Sequence, residues 1–291
     1  MPADKLAPLV STEWLAARLG RADVRVVDGS WYLPTMNRDA TVEFAEGHIP
    51  GAVFFDLDAS SDQSTALPHM LPPAPAFAAR MGGLGLDDSS TIVVYDGSGV
   101  NLSAPRVWWM FRVFGHDATA VLDGGLKKWK AEGRPLERGS ATPGPGRFTA
   151  RLDQRRIRDL ATLRGNLATG AEQVVDTRPA GRFEGTHPEP RAGVKSGHIP
   201  GSVNLPFNEL TTSTGTLLTP ERLRARFEAA GIDLARPIVA TCGSATSACS
   251  VVLGLELLGH RQVAVYDGSW TEWGGRDDTP IELGPARPAG S

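Results

Sequence analysis

The sequence repeats itself over a domain-sized period, and this repeat limits the possible folds more than any other feature. The segment GHIPGAVFFD begins at Gly47 and GHIPGSVNLP begins at Gly197. Four further pairs occur in the same order in both halves, and the five separations range from 144 to 150 residues. Matches that keep one order indicate two copies of one fold. The other pairs are VVDGS and VVDTR, IVVYDGSG and IVATCGSA, VFGH and LLGH, and DGGLKKW and DGSWTEW.

The length of the chain suits two domains. It has 291 residues, and domains usually contain roughly 100–150 residues. The segment RGSATPGPGRFTA, residues 138–150, is rich in Pro and Gly, which resist both helix and strand formation. We therefore expect a first domain over residues 1–137, a linker over 138–150 and a second domain over 151–291.

Composition and charge exclude several classes of protein. Hydrophobic residues make up 41% of the chain and charged residues 22%, and the net charge is −3. These values are typical of a soluble globular protein, and no global basic field favours nucleic acid or an anionic membrane as a partner. The N-terminal segment has no long apolar run, and the two cysteines are too few for a disulfide framework or paired CxxC metal sites. We expect a cytoplasmic protein without a metal site.

Short apolar runs alternate with helix-like segments in both copies. The runs are rich in Val and apolar on both faces, as expected for parallel strands covered by helices on each side. A helix is predicted over residues 220–230, capped by Thr219, with Pro220 at its first position and ended by Gly231. The pattern predicts α/β domains, each around a mostly parallel sheet. The predicted strands are residues 25–27, 92–95 and 120–122, and residues 173–175, 238–241 and 262–265.

The most informative segment is IVATCGSATSAC, in which Cys242 follows a predicted strand and precedes a helical pattern. Backbone N–H groups of such a loop and the positive end of the helix stabilise an anion, so a thiolate at Cys242 is a competent nucleophile. The small residues after it let a substrate approach the backbone. A lone cysteine is more often a buried structural residue, and Cys249 fits that description.

A cysteine phosphatase also places its nucleophile in a loop of this kind. That chemistry needs an arginine that closes the loop and binds phosphate bidentately. The sixth position after Cys242 is Ala248, and no arginine lies between Cys242 and His260. The sequence therefore disfavours a phosphatase. Nucleotide-binding glycine motifs are also absent from the sequence.

The paired GHIPG segments and the loop that begins at Cys242 resemble the signatures of the rhodanese family. The resemblance covers residues 6–277 and implies two tandem rhodanese-like domains. In the first copy Asp96 stands where Cys242 stands in the second, so the first domain is expected to be catalytically silent. The resemblance implies transfer of sulfur through a persulfide on Cys242, from a small-molecule donor to a thiol such as thioredoxin, or to cyanide. It implies no cofactor.

The loop resembles the type of rhodanese that uses 3-mercaptopyruvate and releases pyruvate. Thiosulfate-type members have basic residues in the loop, whereas Gly243, Ser244 and Ala245 are neutral. The segment GRFEGTHPEPR resembles the stretch that supplies two substrate-binding arginines, which here are Arg182 and Arg191. A planar guanidinium suits a carboxylate because it binds bidentately.

A first-copy segment, FDLDASSDQSTALPHMLP, resembles the stretch that supplies an Asp and a His to the site. The matching positions are Asp58 and His69, which with Ser244 would form a Ser–His–Asp relay. Unlike the other histidines considered, His69 has no evident counterpart in the second copy.

The loop departs from the family pattern in Ala245-Thr246-Ser247, where Gly-Val-Thr is usual. If the first of these positions has a positive φ, Ala245 is strained there. We expect Gly243, Ala245, Thr246 and Ser247 to line the donor site. Two alternatives remain at this point. One is a thiosulfate:cyanide sulfurtransferase that uses the same Cys242, and the other is a non-catalytic sulfur carrier or regulatory binding module.

Overall fold

The computed structural model describes residues 6–140 and 144–286. Residues 141–143 of the predicted linker lie outside the described residues. Five strands alternate with five helices in the described part of the first half. They are β1 (Leu9–Val10), α1 (Thr12–Ala16), β2 (Val24–Asp28), α2 (Ala40–Glu46), β3 (Ala52–Phe54), α3 (Ala74–Gly83), β4 (Thr91–Tyr95), α4 (Ala104–Val113), β5 (Thr119–Leu122) and α5 (Gly125–Ala131).

The second half repeats this alternation over its described residues. It contains β6 (Ile157–Arg158), α6 (Leu160–Thr169), β7 (Gln173–Asp176), α7 (Ala180–Glu184), β8 (Val203–Asn204), α8 (Pro220–Ala229), β9 (Ile238–Thr241), α9 (Ala248–Leu257), β10 (Val263–Tyr266) and α10 (Ser269–Gly274).

Each half forms its own five-stranded sheet, and the two sheets have the same topology. The strand orders are β1-β5-β4-β2-β3 and β6-β10-β9-β7-β8, and every pairing is parallel. All residues of β5, β9 and β10 are buried, as expected for strands with helices on both faces. The predicted fold class, two α/β domains with parallel sheets flanked by helices, is confirmed.

The six predicted strands are the three inner strands of each sheet, with ends that differ by at most one residue. The edge strands β1, β3, β6 and β8 were not predicted. They contain only two or three residues each, so no periodic pattern can develop in them. Helix α8 begins and ends close to its predicted bounds. Thr219 caps it by accepting a hydrogen bond from Arg222 N, and Gly231 after it has a φ of +78°.

The described chain forms two compact units, and each contains one of the sheets. The first unit consists of three segments: the described chain up to Gln63, the range Leu71–Asp153 and the short segment Thr211–Leu217. The second takes Gln154–Leu210 and the chain from Leu218, together with Ser64–Met70. Each unit therefore includes a short segment from the opposite half of the sequence.

Hydrogen bonds attach the segment Thr211–Leu217 within the first unit. The Asp123 carboxylate accepts from Leu217 N at 2.8 Å, and Asn101 Nδ2 donates to Gly215 O at 3.1 Å. Within the described residues, no helix has both the length and the apolar character needed to cross a membrane.

Candidate active site

The middle strand of the second sheet delivers Cys242 to the carboxyl edge of that sheet. Strand β9 ends at Thr241, Cys242 is the next residue, and α9 begins at Ala248. The carboxyl edge of a parallel sheet is where α/β proteins bind their ligands. Cys242 is 3% exposed, and neither cysteine of the chain is in a disulfide. A buried thiol thus lies between a strand end and a helix N-terminus.

The hydroxyl of Ser269 fixes the backbone of the Cys242 loop. Ser269 Oγ accepts hydrogen bonds from Cys242 N at 3.3 Å and Ala245 N at 3.0 Å, and donates to Tyr266 O at 2.8 Å. Ser269 was not predicted from the sequence as a site residue. The sequence contained a signal, because Ser269 of DGSWTEW stands where the first copy has Gly125 in DGGLKKW, and both residues have a positive φ, of +51° and +52°. A serine in a conformation that favours glycine indicates a specific role for its side chain.

Two more residues at the start of α10 hold the loop from the same side. Trp270 N donates to Cys242 O and Thr271 N donates to Gly243 O, both at 2.9 Å. These two contacts use carbonyl groups of the loop and do not involve its N–H groups. Among the described residues, no acceptor contacts the N–H groups of Gly243, Ser244, Thr246 or Ser247. The loop can therefore offer N–H groups to an anion.

Ala245 lies in the left-handed region, with a φ of +60°. Ala245 is therefore a strained residue in this loop, as predicted for a positive φ at this position. The conformation costs an L-residue about 1 kcal/mol more than glycine. Its methyl group is fully buried, and burial of that group offsets part of the cost.

His69 lies beside the loop in the second unit, to which Ser64–Met70 belongs. Its Nδ1 atom is 2.8 Å from Ser244 Oγ and 3.0 Å from Thr246 Oγ1. The imidazole is 3% exposed, and His69 has a φ of +61°. Strained backbone at a buried polar residue is a frequent mark of functional sites. The structure thus brings His69 to Ser244, although 175 positions separate them in the sequence.

Asp58, Ser247 and Cys249 form hydrogen bonds with residues other than His69 and the two arginines. Asp58 lies in the first unit, where its carboxylate accepts a hydrogen bond from Trp31 Nε1 at 3.2 Å. Ser247 Oγ is 3.0 Å from Thr177 Oγ1, so its hydroxyl joins the loop to the residue after β7. Cys249, in α9, is fully buried and its Sγ donates to Ala245 O at 3.3 Å.

The structure brings both predicted arginines to the loop at Gly243. A β-carbon placed on Gly243 would be 3.3 Å from Arg182 Nη2 and 3.7 Å from Arg191 Nη1. A side chain at this position would therefore crowd the guanidinium of Arg182. Glycine keeps both guanidinium groups next to the residue that follows Cys242.

Glu189 lies between the two arginines in the sequence and was not predicted as a site residue. Its carboxylate accepts from Arg182 Nε at 3.1 Å and from Arg178 Nη1 at 2.7 Å. Arg178 also pairs with Asp176 and lies over the Trp270 ring at 4.4 Å. Burial lowers the pKa of Arg178, but the charges of Asp176 and Glu189 outweigh it and raise the pKa above its ordinary value. Arg178 is thus a buried cation that links Glu189 to the core.

The matching loop of the first copy is occupied by its own side chain. The Asp96 carboxylate accepts hydrogen bonds from Ser98 N at 2.9 Å, Ser103 N at 3.0 Å and Ala104 N at 2.9 Å. Ala104 is the first residue of α4, so the carboxylate lies at the N-terminus of that helix. The first-copy loop therefore binds an anion that the chain itself provides.

Comparisons with known proteins agree with this architecture. A family model for the rhodanese-like domain matches residues 11–132 and 159–276. Over 270 residues the chain is 49% identical to the 3-mercaptopyruvate sulfurtransferase of Rattus norvegicus, with 91% of each chain covered. It is 45% identical over 271 residues to the thiosulfate sulfurtransferase of Bos taurus, again with 91% of each covered.

A solved structure shows the same fold. The crystal structure of the 3-mercaptopyruvate sulfotransferase SseA from Escherichia coli superimposes with a TM-score of 0.83. The two sequences are 36% identical, and the match covers 91% of this chain and 99% of SseA. The chain therefore belongs to the rhodanese family, and it is a sulfurtransferase with two rhodanese-like domains.

Proposed function

We propose that this enzyme transfers sulfur from 3-mercaptopyruvate to a thiol or to cyanide through a persulfide on Cys242, and that it releases pyruvate. One observation carries the proposal. The buried Cys242 begins a loop without basic side chains, and Arg182 and Arg191 lie at the next residue, Gly243. Two arginines beside a neutral loop suit a donor with a carboxylate and a carbonyl group.

In the first half-reaction the Cys242 thiolate attacks the sulfur of the donor. A sulfur–sulfur bond forms, the carbon–sulfur bond breaks, and its electron pair leaves with carbon as the enolate of pyruvate. The enolate then takes a proton and becomes pyruvate. The N–H groups of Gly243, Ser244, Thr246 and Ser247 are available for the charge on sulfur.

Arg182 and Arg191 are proposed to hold the carboxylate and carbonyl of the donor. Bidentate binding would place the donor sulfur beside Cys242. Gly243, Ala245, Thr246 and Ser247 complete the proposed donor site. Of these, Gly243 contributes by having no side chain in the space near Arg182.

The proton for the enolate is proposed to pass through Ser244 and His69. The 2.8 Å contact between Ser244 Oγ and His69 Nδ1 supports this route, because a proton can move along such a hydrogen bond. Asp58 is the third member of the relay predicted from the family resemblance. An Asp58→Asn change tests its part through the rate of pyruvate release.

In the second half-reaction a thiol, such as reduced thioredoxin, or cyanide takes the outer sulfur of the persulfide. Attack on that sulfur breaks the sulfur–sulfur bond and returns Cys242 as a thiolate. The product is a new persulfide or thiocyanate. The proposal involves no metal and no organic cofactor.

Thiosulfate is the second candidate donor. The similarity to the thiosulfate sulfurtransferase of Bos taurus favours it, as does a relative in Arabidopsis thaliana named for both donors. The same Cys242 would attack the outer sulfur and release sulfite. That Arabidopsis relative is mitochondrial, whereas we propose the cytoplasm for this chain because it has few cysteines and none in a disulfide.

The first copy is proposed to be catalytically silent, within the boundaries 1–137, 138–150 and 151–291 inferred from the sequence. The Asp96 carboxylate accepts three backbone N–H groups of its own loop. A carboxylate cannot form a persulfide, and the loop has no cysteine. All sulfur transfer is therefore assigned to the second copy.

The test is pyruvate release from 3-mercaptopyruvate with a reducing thiol, beside sulfite release from thiosulfate at the same concentration. Fast pyruvate release that Cys242→Ser abolishes would support the proposal. Sulfite release without pyruvate release would contradict the donor and leave Cys242 as nucleophile. Unchanged pyruvate release by Cys242→Ser would overturn the nucleophile. Cys249→Ser, which changes the other cysteine, is the matched control.

A further inference from the structure

Two hydroxyl groups of the Cys242 loop meet one nitrogen atom of His69. Ser244 Oγ lies 2.8 Å from His69 Nδ1, and Thr246 Oγ1 lies 3.0 Å from the same atom. The three residues are at most 4% exposed, and all of them belong to the second unit. The proposed proton route uses the hydroxyl of Ser244, so the hydroxyl of Thr246 has no part in it so far.

The backbone turn between the two hydroxyl residues is held at both of its peptide groups. Ala245, with its φ of +60°, separates Ser244 from Thr246. Its N–H donates to Ser269 Oγ at 3.0 Å, and its carbonyl accepts from Cys249 Sγ at 3.3 Å. Hydrogen bonds of this kind hold neighbouring side chains in a fixed geometry. The strained turn therefore presents both hydroxyls to the imidazole.

The groups around Nδ1 favour a proton on that atom. An imidazole nitrogen has one hydrogen-bonding position, which holds either a proton or a lone pair. With a proton on Nδ1, both hydroxyl oxygens can accept from it. With a lone pair, Nδ1 accepts from one hydroxyl, and Thr246 Oγ1 is left with Ser244 O at 3.5 Å, a long and weak hydrogen bond. A buried polar group without a good partner is unfavourable, so two oxygens stabilise the form of His69 that has Nδ1–H.

We propose that Thr246 is a positioning residue of the proton route, because its hydroxyl accepts from Nδ1–H of His69 and holds the proton that pyruvate formation consumes. The inference rests on the proposed function, since it concerns protonation of the enolate.

The proton moves in two linked transfers. While Thr246 holds Nδ1–H, the Ser244 hydroxyl can turn its hydrogen towards the enolate. The enolate carbon takes that proton, Ser244 Oγ takes the proton of His69 Nδ1, and Nδ1 keeps the lone pair. Thr246 then donates its own hydrogen to this lone pair, because a hydroxyl both accepts and donates. A proton from water restores Nδ1–H before the next turnover.

The two half-reactions provide an internal comparison. Only the first one protonates a carbon atom, whereas the second one transfers sulfur from the Cys242 persulfide to cyanide. Loss of the Thr246 hydroxyl is therefore expected to slow pyruvate formation more than thiocyanate formation. A change that merely disturbed the loop would slow both, because Cys242 takes part in both.

The test measures the two half-reactions separately in wild type and Thr246→Val. Rapid mixing with 3-mercaptopyruvate gives the rate of pyruvate formation in the first turnover, and cyanide added to the loaded enzyme gives the rate of thiocyanate formation. One neutral hydrogen bond corresponds to about a fivefold change in rate, so we expect pyruvate formation to slow about fivefold relative to thiocyanate formation. The loss is expected at saturating donor with little change in KM, because the hydroxyl acts on His69.

Two further variants separate the hydroxyl from the packing of the side chain. Thr246→Ser restores a hydroxyl at this position and is expected to recover most of the lost rate. Thr279→Val is the matched control. It also removes a buried hydroxyl of the second unit, one that donates to Trp273 O, and is expected to leave the relative rates as in wild type.

Equal slowing of both half-reactions by Thr246→Val, or no slowing of either, would overturn the inference. A Thr246→Ser variant as slow as Thr246→Val would overturn it as well. Failure of wild type to form pyruvate would instead reject the proposed function. If Thr246→Val does not fold, nitrogen NMR of the wild-type imidazole of His69 decides: a proton on Nδ1 is expected, and a lone pair there would contradict the inference.

Discussion

The loops after β4 and β9 occupy equivalent places in two copies of one fold, yet they satisfy their backbone N–H groups in opposite ways. The first loop runs from Asp96 to the start of α4 at Ala104 and closes on the Asp96 carboxylate. The second runs from Cys242 to the start of α9 at Ala248 and is two residues shorter. Its N–H groups meet the Ser269 hydroxyl or, within the described chain, no acceptor.

In both copies the strand–loop–helix unit creates a site for an anion, and this does not depend on whether the loop takes part in catalysis. A side-chain carboxylate can fill the site permanently, as in the first copy. A thiolate or persulfide can fill it temporarily, as proposed for the second. The catalytic silence proposed for the first copy then requires no change of fold, because an aspartate at the cysteine position supplies the missing negative charge.

The largest expected effect comes from giving the second loop the residue of the first. Cys242→Asp removes the sulfur nucleophile and places a carboxylate at the loop N–H groups. We expect pyruvate release to fall by at least about a thousandfold, while the protein stays folded. Steady-state assays measure the rate of pyruvate release, and circular dichroism shows whether the variant is folded. Retained sulfur transfer would show that Cys242 is not required, and global unfolding would show that the two loops are not equivalent.

Removal of the carboxylate from the first loop tests the other side of the comparison. Asp96→Ala leaves the N–H groups of Ser98, Ser103 and Ala104 without their acceptor. We expect a loss of about 3–4 kcal/mol in the free energy of unfolding, from buried donors left without partners. Urea unfolding measures it. Sulfur transfer by the folded fraction is expected to persist. A selective loss of activity without loss of stability would show that Asp96 serves catalysis and not the closure of its own loop.

Strands β2 and β7, which are neighbours of β4 and β9 in their sheets, each end in a buried aspartate, and the two aspartates have different partners. Asp28 ends β2 and Asp176 ends β7. Asp176 pairs with Arg178, whereas no arginine pairs with Asp28 in the part of the chain that the structure describes. Burial raises the pKa of Asp28 from 3.8 to about 6, against hydrogen bonds from Ser30. The folded state therefore holds a proton that the unfolded state releases.

Stability is consequently expected to fall as the pH rises through the folded pKa of Asp28. The contribution is fully present below pH 3.8 and is lost above about pH 6, a change of about 3 kcal/mol. Asp28→Asn is expected to remove this loss. The free energy of unfolding of the variant should therefore rise relative to that of wild type as the pH increases from 4 to 7. Urea titrations over that range measure it. Equal pH dependence in both proteins would contradict the assignment to Asp28.

The smallest expected effect concerns strain in the second loop. Ala245→Gly relieves a φ of +60° but loses a buried methyl group, so the free energy of unfolding is expected to change by less than about 1 kcal/mol. Ala248→Gly is the control, since Ala248 is equally buried but has a negative φ at the start of α9. Ala248→Gly is expected to lower the free energy of unfolding by about 1 kcal/mol more than Ala245→Gly does. Equal losses in the two variants would mean that Ala245 is not strained.

The sequence predicted features that depend on neighbours along the chain. The repeat, the inner strands and the position of Cys242 after β9 all follow from apolar runs, turn residues and order. The family resemblance pointed to Arg182 and Arg191, which the structure places at Gly243. The edge strands were missed because two or three residues carry too little pattern.

The two α/β copies and the cysteine at the carboxyl edge of one sheet could be predicted from consecutive residues, because local periodicity and strand–loop–helix order are properties of neighbours along the chain. The family resemblance predicted that His69 meets Ser244, and the structure contains that contact. The binding of Ser269 to the amides of Cys242 and Ala245, and the link from Arg182 to Arg178 through Glu189, became visible in the tertiary structure alone. The reason is physical. These contacts need packed side chains and buried polar groups to find partners across the fold, and no local pattern encodes which partner each group will meet.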